Sequence, residues 1–146
     1  MTLGRAGVHR DAGLVNDAQR IALIQHRILA EKVKSALARA GLPIAATLDG
    51  ALSSGVFVEI VDDERLPPEL LLKWRVHPIL REHFLEVAAD RLQGDPVVRE
   101  MKHAERAMNT AIIAILEFSG FSARVLEDER VGEILVGESG RSGAAG

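Results

Sequence analysis

From Asn16 to Ala40 the chain keeps an unbroken helical period, with Ile21, Ile24, Ile28, Leu29, Val33 and Leu37 near one face. Asn16 or Asp17 supplies an N-cap, Gly41 supplies a C-terminal stop, and Pro43 follows where a helix cannot resume. At 1.5 Å per residue this stretch makes a rod of about 36 Å. The whole chain has 146 residues, the size of one ordinary domain, whose radius of gyration is about 15 Å. The rod outruns such a domain, so part of it is expected to overhang the core or to pack on a partner.

The remaining elements must fit around that helix. Val56 to Val61 reads as a strand, β-branched and aromatic, closed by Asp62 and Asp63. Pro67 and Pro68 suit the first turn of a helix, and Leu70, Leu71, Leu72 and Trp74 read as its helical run. His77-Pro78 predicts a kink or break, because the residue before proline is driven out of the α region. Ile79, Leu80, Phe84, Val87, Ala88 and Leu92 continue a helical stripe. Gly94-Asp95-Pro96 then marks a boundary: glycine ends one helix, aspartate caps the next, and proline takes its first position. The two helices are expected to form a tight hairpin. The second runs to about Ser119, and its stretch Ala111 to Leu116 is apolar all round, which predicts burial on every side. Phe121–Glu127 and Val131–Val136 read as a hairpin around Asp128-Glu129-Arg130.

The expected fold is therefore α+β: a helix-rich single domain of three to four helices with a small, antiparallel, three-stranded sheet. Residues 1–15 are expected to be a flexible N-terminal arm, 16–136 the single α+β domain, and 137–146 a flexible C-terminal tail. No run of eighteen apolar residues exists, so no membrane partner is expected. No secretory signal is recognisable, which points to the cytoplasm or the interior of a macromolecular assembly. Cysteine is absent, which excludes disulfide scaffolds, thiol catalysis and cysteine–zinc sites.

Charge is unevenly placed. Residues 1–41 carry seven Lys/Arg against three Asp/Glu, while residues 42–68 carry one arginine against five acids. Arg20, Arg27 and Lys34 on the first helix, and Asp62, Asp63 and Glu64 after the strand, are candidate interface residues, since complementary patches orient partners. A basic helix contacting nucleic acid is a third reading. The basic residues have no interleaved aromatics for base stacking, and the net charge is −3.

Catalytic signatures are sparse. Glu100 and His103 stand three apart on a helix, a spacing seen in carboxylate–histidine metal sites, but the second such pair and the extra glutamates are missing. No metal or cofactor is expected. No G-x-S-x-G elbow, phosphate loop or G-x-G-x-x-G turn is present. An alternative pocket between sheet and helical hairpin would draw on His77, Arg81 and His83. The balance leans away from an enzyme and toward a structural or interaction protein. It would act as a homo-oligomer or with other assembly proteins, in the manner of virion head–tail or tail components by analogy alone.

Overall fold

The computed structural model describes residues 2–46, 54–126 and 132–139, with residues 2–15 as helical backbone. The elements follow the order α1 (Thr2–Arg39), β1 (Gly55–Glu59), β2 (Glu69–Arg75), α2 (Pro78–Glu86), a 3₁₀ turn (Ala89–Gly94), α3 (Pro96–Phe118), β3 (Phe121–Val125) and β4 (Ile134–Glu138). The class is α+β, with four antiparallel strands in the order β1-β2-β4-β3. The expected hairpin turn at Asp128–Arg130 lies outside the described residues.

The fourth strand corrects the sequence reading. Leu70, Leu71, Leu72 and Trp74 do not open a helix; they form β2, bonded to β1 on one side and β4 on the other. A short, continuous apolar run has no period of its own, so it serves equally well as a buried strand or a buried helix segment. Here two ladders satisfy its backbone, and its side chains divide between faces. Leu70 and Leu72 join the core cluster under the helices, while Leu71 is buried on the other side.

The end of α1 follows the local signals closely. Gly41 takes φ 92°, Leu42 N–H donates to Leu37 O (3.1 Å), and Gly41 N–H donates to Ala38 O (2.9 Å). This is the Schellman pattern, in which a left-handed glycine lets the chain turn back and satisfy the last carbonyls. The start of α1 differs from expectation: the helical backbone begins at Thr2, not at Asn16 or Asp17. Beyond the cap, Val56 N–H donates to Pro43 O (2.9 Å) and Ala45 N–H to Val56 O (2.8 Å), stitching the chain after α1 to β1. That stitch needs Gly55. Its φ is 117°, and a Cβ there would sit 2.5 Å from Pro43 O.

One core cluster joins all the layers. Leu29, Val33, Ala36 and Leu37 from α1, and Ile112 and Leu116 from α3, pack on Val56, Val58, Leu70, Leu72, Ile134 and Val136 of the sheet. The second half of α3 is not buried all round, as its composition predicts. Ile113 and Ile115 are half-buried, Ala114 is exposed, and Phe118 is 95% exposed. Two layers leave α3 one side toward the core and one toward solvent.

The expected helical hairpin is also modified. His77-Pro78 starts a helix instead of kinking one: His77 Nδ1 accepts from Ile79 N–H (3.2 Å), and Pro78 takes the first position. α2 ends after nine residues, and the 3₁₀ turn leads to the cap of α3. Neither α2 nor the 3₁₀ turn contains a fully buried residue.

Candidate interaction surface

α1 carries two apolar faces. The buried one is Ala22, His26, Leu29, Ala30, Val33, Ala36 and Leu37. The isoleucines expected beside these residues do not lie there. Ile21, Ile24 and Ile28 are 54%, 50% and 49% exposed. At 3.6 residues per turn, their centre lies roughly 150° around the helix from the Leu29–Val33–Leu37 stripe. They form a ridge at i, i+3 and i+7, the spacing of a helix-packing seam. The sequence contained this signal, but both stripes are apolar, and reading them as a single face merged them.

Charged residues frame the ridge. Arg20, Arg27 and Lys34 lie along one flank and Lys32 along the other, by helical position. Asp17 and Glu31 bracket it in line. Arg20 pairs with Asp17 (3.3 Å) and Lys34 with Glu31 (3.4 Å), while Lys32 reaches Glu138 (3.5 Å). These pairs are exposed, so each contributes little to stability. Arg27 makes no ion pair among the described residues. Further along α1, Glu31, Lys32, Ser35 and Arg39 line a groove of about 450 Å³ with Ser119 and Phe121. The fully exposed ring of Phe118 immediately precedes Ser119 in the chain.

The acidic candidates occupy a different place. Asp62, Asp63 and Glu64 are exposed on the turn after β1, between half-exposed Val61 and Leu66. Glu64 N–H donates to Asp62 Oδ1 (3.1 Å), and Arg65 N–H donates to Asp62 O (3.3 Å), an Asx-type turn that fixes the loop locally. Gln19 Nε2 donates to Glu64 Oε1 (2.8 Å), tying the turn to α1 of the same chain.

The structure gives His77 and His83 separate partners. His77 caps α2, as described above. His83 Nε2 bonds Asp95 Oδ1 (3.0 Å) and Oδ2 (3.2 Å), linking α2 to the N-terminus of α3. Asp95 Oδ1 also accepts from Val97 N–H (2.9 Å) and Val98 N–H (3.0 Å). The Val98 N–H, with His83 and Val97 adding to it, holds the Asp95 carboxyl below its ordinary range against the opposing effect of burial. Arg81 is half-buried between the two histidines in the chain. None of the three residues lines the groove beside α1.

Two buried polar side chains escaped the sequence reading as structural elements. His26 is fully buried, with Nδ1 2.8 Å from Ala22 O and no partner at Nε2 among the described residues. Its position at i−3, i−7 and i−11 from Leu29, Val33 and Leu37 was the available signal. Asn109 of α3 is buried and donates from Nδ2 to Gly132 O (3.1 Å), anchoring the approach to β4. Nearby, burial pushes the Glu105 carboxyl up, opposed by the charges of Lys73 and Lys102. Glu100 and His103 are exposed, and among the described residues no three His, Asp or Glu side chains gather as a metal site. No helix among the described residues is long and apolar enough to cross a membrane.

Comparison with protein-family models, with curated proteins and with solved structures finds no match for this chain.

Proposed function

We propose that this chain is a non-enzymatic interaction protein that self-associates or joins a larger assembly, with the outer face of α1 as its contact surface. The observation that carries this reading is the Ile21–Ile24–Ile28 ridge, half-exposed on the side of α1 away from the core. Ordered isoleucine at helix-packing spacing has a stabilising place to go only if something covers it. Taking three half-exposed isoleucines fully out of water contributes about 2–4 kcal/mol in total. That is less than association costs in lost freedom, so the flanking charges and neighbouring apolar groups must complete the contact. Exposed Phe118 at the end of α3 offers further apolar surface. A repeating assembly of the kind that builds virion head–tail or tail structures is the finer form of the reading, carried by analogy.

Sedimentation equilibrium of the wild type and of Ile24→Asp tests the proposal. The wild type should exceed the 15.8 kDa of one chain and grow with concentration. Ile24→Asp should sediment as one chain, with a thermal midpoint close to that of the wild type at concentrations where the wild type is dissociated, since residue 24 lies outside the core. A wild type that stays at one chain's mass to submillimolar concentration would remove self-association from the reading.

A further inference from the structure

We infer that the occupant of the Ile21–Ile24–Ile28 ridge is the Val61–Leu66 turn of a second copy of this chain, in a head-to-tail contact. The inference rests on the self-association reading above and names the partner surface.

A second α1 helix is the first candidate occupant, and charge argues against it. Every charged residue flanking the ridge is basic: Arg20, Arg27 and Lys34 on one side, Lys32 on the other. Flanking positions of this kind select helix partners by opposite charge. Pairing two such ridges in either direction sets cation beside cation. The antiparallel arrangement centred on Ile24 also brings Asp17 opposite Glu31 of the other helix. The ridge calls for an acidic counterpart with apolar anchors.

The Val61–Leu66 turn has that chemistry. Val61 and Leu66 are 49% and 51% exposed and bracket three exposed acids, Asp62, Asp63 and Glu64. Its one base, Arg65, is turned to Glu69 at 3.0 Å. The Asx-type hydrogen bonds at Asp62 hold the turn in shape before any partner arrives, which reduces the ordering cost of contact.

The two surfaces also lie on opposite sides of α1. The turn is tied at Gln19, which by helical position points roughly 170° away from the ridge. A chain therefore does not lay its own turn on its own ridge. Two unlike, complementary surfaces facing apart define a heterologous contact, which closes into a ring or grows as a filament.

Charge reversal at one residue on each surface provides the test. Arg27→Glu alters the ridge flank and Asp63→Lys alters the turn. Neither residue makes an ion pair among the described residues. Each variant alone should self-associate at least about tenfold more weakly than the wild type at low salt. An equimolar mixture should recover the wild-type affinity to within about threefold, because each interface in an alternating assembly is again of opposite sign. Thermal melting of each variant serves as the folding control. If the wild type associates and Ile24→Asp disrupts it, but Asp63→Lys has no effect or mixing restores nothing, the assigned occupant is wrong while the contact face stands. If the wild type does not associate, the reading and the inference fall together.

Discussion

Replacing His26 with leucine should stabilise the protein. His26 is fully buried on the core face of α1. Ala22 O is an acceptor only, so Nδ1 carries the proton of the 2.8 Å bond. Nε2 then faces the interior with no hydrogen-bond partner among the described residues. A buried polar atom left unsatisfied costs about 1–3 kcal/mol, whereas the net worth of the Nδ1 bond is about 0.5–1.5 kcal/mol. Leucine is close to histidine in volume, removes both polar atoms, and extends the Leu29–Val33–Leu37 stripe by one turn. The expected balance is a gain of about 1 kcal/mol, read as a thermal midpoint higher by about 2–4 °C for a chain of this size. His26→Ala provides the contrast. It removes the same polar atoms but leaves a void, and should destabilise by about 2 kcal/mol or more. Urea denaturation of the three proteins at neutral pH gives the comparison. A leucine variant less stable than the wild type by 1 kcal/mol or more, at unchanged denaturant slope, would show that Nε2 has a partner and refute the reasoning.

Other substitutions test the fold in the same way. Gly55→Ala should cost about 2 kcal/mol or more in urea denaturation, because it combines a left-handed backbone with a Cβ 2.5 Å from Pro43 O. Ile112→Ala should cost about 2–5 kcal/mol and Ile115→Ala clearly less, since Ile112 is fully buried and Ile115 only partly so. Equal losses at the two positions would contradict the sidedness of α3. At Asp95 the folded carboxyl is held below its unfolded value of 3.8, so its stabilising contribution is present above that value. That contribution is lost as pH falls through the folded value. Asp95→Asn, which retains a capping side chain, should flatten this acid limb of the urea midpoint, and Asp95→Ala should lower the midpoint at every pH.

Elements whose chemistry is local were legible before folding. The Gly41 stop, the Asp95-Pro96 start of α3, the strand beginning near Val56 and the Phe121 hairpin all rest on residues that act within a few positions of themselves. The β2 strand was not legible, because Leu70-Leu71-Leu72 becomes a strand only when β1 and β4 pair with it, and those partners come from distant sequence. The same distance effect shortened α2: the stripe from Ile79 to Leu92 has helical spacing, yet the segment lies on the surface and breaks at Val87. At the candidate surface, the charged residues could be named from their segments, but their roles required the fold. Ile24 and Val33 belong to opposite sides of one helix, and only the position of the sheet decides which side is inside. The tie of the acidic turn to Gln19, on the face away from the isoleucines, likewise belongs to tertiary structure.

The most direct test of the central claim uses the absence of cysteine. Ile24→Cys carries a single spin label at the middle of the ridge, and Leu85→Cys carries one on an exposed helix elsewhere. Each labelled protein, dilute, is titrated with unlabelled wild type and followed by its spectrum. The label at position 24 should be mobile when dilute and become immobilised as wild type is added, along a curve that matches the rise in sedimenting mass. The label at position 85 should change less. A label at position 24 that stays mobile while the mass rises would place the contact elsewhere and contradict the account.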